Sequence, residues 1–508
     1  MDGAHNTHDL QPGWTALCNF SALHYWRRVW IIQEVYLAWR VLLICDFEAL
    51  DFAYIYEVSS LLSLEEIENV PEETSRMQGE LLGSNIGHRI CCQKYYDTIR
   101  KPAPVLDIYD SKIDDATHHI GTPELQIKLL KMTMQLQASD PRDVVYGLLG
   151  LSKLSVDVDY SQAVGTVFSQ YGQHWIGMLT MQNENSRGAE EEARASTGFT
   201  YCLRLAGPLR AAHTTWEQQA TRSPSWVPKF CTSLPPSQFD TEMEFLDWEA
   251  WKFSDLFGPK FGLHLDYPIL GIDGFRLDLV ERSTELAENS DGSLHWSAWD
   301  RIRGLISKGS PYVTGIPPLQ ALIRVLRGCS CHATSPLSKA HAEELVMGST
   351  FGMMSWMLPV DESGGRRRSI RLLDPGFQLP FDQVHYVSNI YRWIARTACP
   401  DFPELAEILP DYFGDWEQIL KKVGGEVPYT NVALIELKGG FLGLGPITVT
   451  EQDTLCIMQG CYRPVILRKE GEHYTLIGTC FVLGLMKWEE VASVIRKDKL
   501  DKERFNIR

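Results

Sequence analysis

The sequence predicts an α+β protein, with an α/β region at its front, a mostly helical middle and a β-rich module at its end. Three observations predict it. Residues 22–45 join a stretch that is apolar almost all round to a short apolar run, which is half of an α/β unit. Residues 318–326 and 381–397 read as helices. Residues 431–491 break into short β-rich runs separated by glycines and charges, as hairpins require.

Length and charge bound the rest. At roughly 100–200 residues per domain, 508 residues make two to four domains. A hydrophobic fraction of 44% supplies a core and argues against global disorder. The net charge of −17 repels a phosphate backbone, so no nucleic-acid partner is expected. The densest basic cluster, Arg366-Arg367-Arg368 with Arg371, follows Gly364-Gly365 and reads as a solvated loop. Residues 1–12 are polar and lack the apolar core of a signal peptide. No run reaches the roughly 18–20 apolar residues of a membrane span, so a soluble cytoplasmic chain is expected. Twelve scattered cysteines are then expected as reduced thiols.

Along the chain, residues 22–38 predict a buried helix, with Trp26, Val29, Trp30 and Leu37 at helical spacing. Val41-Leu42-Leu43-Ile44-Cys45 has no polar alternation and predicts a strand of a parallel sheet covered on both faces. Residues 50–64 and 85–100 read as helices, with an acidic loop between them. Asp140 suits a helix N-cap, Pro141 the first helical position, Asp143 the first turn and Gly150 the stop. Ser161 is placed to cap a second helix, whose apolar face is Val164, Val167, Phe168, Tyr171 and Trp175. Residues 183–196 are the best linker. Pro224-Ser225-Trp226-Val227-Pro228 is extended, because each residue before a proline is pushed away from helix. Residues 269–280 alternate like a strand with a bulge, and residues 296–306 read as helical. Residues 269–280 and the tail strands are expected to share one small barrel or curved sheet. The domains expected are residues 1–182, an irregular linker region 183–268, a mostly helical region 269–430 with a leading strand, and a β module 431–508.

Motifs for chemistry are sparse. Gly439-Gly440-Phe441-Leu442-Gly443-Leu444-Gly445-Pro446 has the wrong order for a dinucleotide loop, and strand-like residues 446–449 follow it where a helix is needed. It reads as a glycine turn. Cys329-Ser330-Cys331-His332 lacks a second ligand pair, and Cys91-Cys92 and His118-His119 are adjacent pairs, so no metal or cofactor is expected. Gln33 and Glu34 interrupt the apolar helix. A carboxylate there must be paired, protonated or open to a cleft, which makes Glu34 the weak candidate for a general base beside the alternative of pairing with Arg142 or Arg28. Arg142 and Asp143 carry the same choice between an ion-paired cap and a cleft.

Arg28-Val29-Trp30-Ile31-Ile32-Gln33-Glu34 resembles the R-V-W-x-x-Q-E segment of the fungal heterokaryon incompatibility domain. Asp140-Pro141-Arg142-Asp143-Val144-Val145-Tyr146-Gly147-Leu148-Leu149-Gly150-Leu151 resembles its D-x-R-D-x-x-Y-x-L-L-G-L helix, and Asp159-Tyr160-Ser161 the D-Y-S that follows. The segment around Trp226 is similar to the family's P-S-W-V-P. Gly443-Leu444-Gly445-Pro446, then Gly460-Cys461 with Pro464 and Leu467-Arg468, then residues 474–484 resemble its C-terminal β region. The matches run in family order. The front motifs S-Y-x-W-G and D-x-x-C-I-N-Q are absent, and Thr479 and Leu483 stand where acidic and histidine residues are common.

The resemblance implies an incomplete TIR- or flavodoxin-like α/β domain, truncated at its front. It implies a protein of fungal self/non-self recognition linked to programmed cell death, acting through other incompatibility proteins or by self-association. Two alternatives stay open: a TIR-like NAD-cleaving enzyme with Glu34 as base, whose pocket would lack its front strands, and a degenerate paralogue with no activity of its own. A broken parallel sheet would expose an edge near residues 41–45, so self-association through residues 22–50 is expected.

Overall fold

The computed structural model describes residues 23, 25, 28–31, 33–34, 38, 41–45, 48–51, 136–150, 156–181, 199–200, 202–208, 223–230, 256–257, 262–286, 301, 304–305, 310–326, 337–357, 383–407, 409 and 432–508. It is a mixed α/β protein with one large mixed sheet. The chain divides into two compact units. One holds residues 1–178, 213–223 and 229–233, and the other residues 179–212, 224–228 and 234–508. The expected features at 85–100, 183–196, Cys91-Cys92, His118-His119, Cys329 to His332 and Arg366 to Arg371 lie outside the described residues.

In the first unit, β1 (Leu42–Cys45) pairs antiparallel with β2 (Glu48–Asp51), Leu42 facing Asp51 and Cys45 facing Glu48. This corrects the expectation of a buried strand in a parallel sheet. Leu42 is 45% and Ile44 76% exposed. An apolar run sets a strand but carries no information about which segment pairs with it. Leu50 and Asp51, expected at the head of a helix, belong to β2. The parallel pairing described in this unit is a single bridge between Arg28 and Gln137, where the Val29 amide donates to the Gln137 carbonyl at 3.0 Å.

Helix α1 (Asp143–Tyr146) is one turn whose N-cap position is Arg142, without a side-chain cap, so the expected start at Asp140 and Pro141 falls instead in the turn before it, where the Asp140 side chain accepts the Arg142 amide at 3.0 Å. It ends earlier than Gly150, at Gly147. A Cβ on Gly147 would sit 2.7 Å from the Asp143 carbonyl and 3.3 Å from Val29, so the chain turns where it packs on residue 29. Helix α2 (Val164–Met181) buries Val164, Val167, Phe168, Tyr171 and Trp175, the face expected from their spacing. Phe168 and Tyr171 meet Phe230 edge-on at 5.1 and 5.0 Å. Ser161 does not cap this helix. Its amide and hydroxyl both donate to the Asp159 carboxylate, which is nearer in sequence.

The second unit is organised by one long strand. Residues 263–266, expected in an irregular stretch, form β3 (Leu263–Asp266), which turns back through Tyr267-Pro268 onto β4 (Ile269–Glu285). Two register shifts, between Arg276 and Asp278 and between Val280 and Arg282, bend β4 so that its halves pair with different strands of the sheet. The first half closes a five-stranded barrel. β4 pairs with β7 (Thr454–Met458), β7 with β8 (Val465–Glu470), and β8 with β9 (His473–Thr479). β11 (Lys502–Ile507) lies between β9 and β4, parallel to the former and antiparallel to the latter, and completes the circuit. The expected joining of residues 269–280 to the tail strands is therefore seen. The second half of β4 pairs with β5 (Val432–Leu437), which continues to β6 (Leu442–Pro446) and β10 (Phe481–Val482).

The segment 439–446, expected as a glycine turn, turns only at its start, over 438–440, and its remainder forms β6 because β5 and β10 pair with it. Beyond Pro446 the chain turns instead of continuing as the strand expected over 446–449. The tail also holds an unforeseen helix, α6 (Trp488–Asp498), whose start is marked by the Lys487 amide donating to Glu490 at 3.2 Å. Its Trp488, Val491 and Ile495 join Phe275, Val280, Leu455, Ile457, Ile466 and Ile477 in the barrel core. Helices α3 (Pro318–Leu326), α4 (Lys339–Met357) and α5 (Gln383–Ala398) form a second core with β5, β6 and β10. Ser338 caps α4 by accepting the His341 amide at 3.3 Å.

Candidate functional site

Two signature segments of the first unit close on each other. Arg142 is the centre. Its Nε and Nη2 donate to the two carboxylate oxygens of Asp140 at 2.9 and 2.6 Å. Its Nη1 donates to the Tyr160 carbonyl and, at 2.8 Å, to the Gln162 carbonyl. Its guanidinium also lies over the Tyr160 ring, 5.2 Å from the centroid. One fork thus ties the turn at 140–147 to the strap at 156–162. Asp143 and Tyr146 complete the clasp. Tyr160 donates its hydroxyl to Asp143 at 2.6 Å. Tyr146 donates to the Asp159 carbonyl at 2.9 Å and accepts the Asp159 amide at 3.2 Å. The Tyr146 and Tyr160 rings meet edge-on at 5.2 Å.

The electrostatics follow from these bonds. The Arg142 side chain, donating to Asp140, holds that carboxyl below its ordinary value against the opposing effect of burial. The same pairing holds Arg142 more firmly protonated. Ser161 lowers Asp159 by donating to it. Tyr160 is pushed up to about 12, first by burial and then by the bond to Asp143 and the charges of Asp143 and Asp140.

The first signature docks on the second. Gln33 donates from Nε2 to the Tyr146 carbonyl at 3.1 Å, and Arg28 supplies the bridge to Gln137. Trp30 is half-buried between the buried Val29 and Ile31. Glu34 is exposed, which corrects the reading of it as a carboxylate in a buried helix. It accepts the Tyr25 hydroxyl at 2.7 Å, while Arg142 is committed to Asp140 and Arg28 lies over the Tyr25 ring. A helix apolar on both faces can still leave one position to water, and sequence spacing does not say which.

The signature residues of the second unit act through shape. Trp226 is buried and donates from Nε1 to the Pro268 carbonyl at 2.9 Å. Beside it, Ser225 accepts the Leu476 amide at 2.9 Å and donates its own amide to the Arg508 carbonyl at 3.1 Å. The extended Pro-fenced segment thereby ties β9 to the end of β11. A Cβ on Gly443 would meet the Phe481 carbonyl at 2.2 Å, and one on Gly445 would press Ile466 at 3.1 Å. Pro446 packs where a Cβ on Gly478 would sit, at 2.7 Å. Pro464 accepts the Cys480 amide at 2.9 Å. Cys461 is buried, and burial raises its thiol and that of Cys480, the opposite of what a nucleophile needs.

The structure brings Gln33, Arg142, Asp143 and Tyr146 together in the first unit, whereas Trp226 packs on Pro268 and Tyr267, and Gly443 and Gly445 pack on Phe481 and Ile466. Sequence reading overlooked Tyr25, Gln137 and Gln162, which contribute hydroxyl, carbonyl or strap contacts that no motif marks. It also overlooked Tyr312, whose buried hydroxyl donates to the Leu483 carbonyl at 2.7 Å and accepts the Leu442 amide at 3.0 Å. Among the described residues no group of three or more His, Cys, Asp or Glu side chains is placed to hold a metal, and no described helix is long and apolar enough to cross a membrane. Comparisons with protein-family models, with curated proteins and with solved structures find no match to this chain.

Proposed function

We propose that this chain is a heterokaryon incompatibility protein of fungal self/non-self recognition, coupled to programmed cell death and acting by protein interaction. One observation supports the reading most: the D-x-R-D-x-x-Y and D-Y-S signatures, recognised separately in the sequence, lock together through Arg142, Asp143, Tyr146 and Tyr160. Their polar groups are spent on one another. Bonds of this kind hold two segments in fixed register, as a surface used for interaction requires. On this reading the front unit is related to a TIR- or flavodoxin-like domain, and self-association runs through the β1–β2 hairpin with its exposed Leu42 and Ile44.

The test is expression of the chain in one of two fungal strains that are then allowed to fuse. Death of the fused cells that is lost with Arg142→Ala supports the proposal. Viable fused cells would favour a chain without independent activity. NAD breakdown by the purified protein, lost in a folded Glu34→Gln variant, would replace the proposal with the enzyme reading.

A further inference from the structure

The strap at 156–161 has the form of a modification site. It lies before α2 with no helix or strand of its own, and Asp157, Val158, Tyr160 and Ser161 are exposed along it. Val158 is 59% and Tyr160 48% exposed. Acidic residues stand one and three places before the tyrosine, at Asp159 and Asp157. An exposed segment outside regular structure is what a protein kinase must draw into its own groove, since a helix or sheet residue would first have to unfold. The tyrosine hydroxyl is also a working part of the clasp, through its 2.6 Å bond to Asp143.

We propose that Tyr160 is a phosphorylation site and that its phosphate opens the clasp. In the transfer, the tyrosine oxygen forms a bond to the γ-phosphorus of a nucleoside triphosphate. The bond from that phosphorus to the bridging oxygen breaks, the nucleoside diphosphate leaves with the electron pair, and the phenolic proton passes to the kinase's base. The product cannot donate to Asp143. It places about −1.5 to −2 charges beside a carboxylate. Asp140 adds a second negative charge nearby, and both already oppose a negative oxygen at this position. Among the described residues of the clasp Arg142 is the one cation, but it is neutralised by Asp140, and four of its five N–H donors are spent on Asp140 and on the Tyr160 and Gln162 carbonyls. One remaining N–H is set against the repulsion of two carboxylates. The strap leaves the turn, and the Asp159 amide loses its Tyr146 partner.

The experiment treats the purified full chain with a tyrosine-kinase catalytic domain and ATP. It maps the phosphate by mass spectrometry and follows amide exchange at Asp159 and Gln162. The expected result is phosphate on Tyr160, absent in Tyr160→Phe, with exchange at those amides faster by about ten- to a hundredfold, the range that loss of a charge-assisted hydrogen bond gives. In Asp143→Asn the phosphate should still be added, but the acceleration should be several-fold smaller. A native chain labelled at other tyrosines and not at Tyr160 would overturn the site. Label at Tyr160 with unchanged exchange, or an equal acceleration in Asp143→Asn, would overturn the opening mechanism.

Discussion

The clasp of the first unit and the Trp226 anchor of the second are both built from short signature segments, but different forces hold them. Around Arg142 the bonds are charge-assisted, partly exposed and directed at backbone carbonyls. In the second unit the Trp226 indole is buried, the Ser225 hydroxyl reaches β9 and Arg508, and Gly443 and Gly445 let Phe481 and Ile466 approach where a side chain would collide. Charge-assisted bonds at a surface respond to protons, salt and covalent charge. Close packing responds to volume and little else. The first region is thus the one that signals can change, and the second is the one that must not change.

Substitutions can break that contrast. Trp226→Ala empties a buried site and frees the Pro268 carbonyl, and should cost about 3–5 kcal/mol in denaturant unfolding, as large aromatic deletions do. Gly443→Val forces a side chain into the Phe481 carbonyl and should cost about 1–3 kcal/mol, with β6 and β10 losing exchange protection first. Arg142→Ala should cost about 1.5–3 kcal/mol, toward the lower end because the pair is partly solvated. Its loss should raise exchange at residues 156–162 and leave the barrel unchanged. If Arg142→Ala loosened the barrel as much as the clasp, the separation of the two regions would be wrong.

The pH response sharpens the comparison further. Asp140 has a lowered carboxyl in the folded chain, so its contribution is complete above the ordinary carboxylate value of about 4 and is lost as pH falls through the lowered folded value. Exchange protection at the strap, corrected for the intrinsic pH dependence of amide exchange, should therefore fall only in acid below about pH 4, and Arg142→Ala should remove the part carried by Asp140 while leaving that of Asp159, which Ser161 holds low. The smallest effect expected is that of Tyr146→Phe, about 1 kcal/mol, from one hydroxyl that bonds both the amide and the carbonyl of Asp159.

Several elements were readable before any coordinates. The α2 face from Val164 to Trp175, helix α3, and the strands β5, β7, β8 and β9 follow from local spacing, because a helix or strand period is written into neighbouring residues. Leu442–Pro446, read as part of a glycine turn, is a strand because β5 and β10 pair with it, and the helix read as starting at Asp140 and Pro141 starts at Asp143. What stayed hidden depends on distant partners. Nothing near Leu42 says that Glu48–Asp51 will pair with it in place of a parallel neighbour. Helix α4 escaped notice because its apolar residues are not gathered on one face.

Local sequence determined the helical face from Val164 to Trp175, helix α3 and the strands β5, β7, β8 and β9, whose periods are carried by neighbouring residues. Tertiary structure alone decided that Arg142 holds Asp140 and the strap instead of Glu34, that Glu34 faces water, and that β11 closes a barrel between strands more than two hundred residues apart in the chain. The reason is physical. Dihedral preference and apolar period act over a few residues, whereas a hydrogen bond or a buried contact is satisfied by whatever group the folded chain brings within about 3 Å, at any separation in sequence.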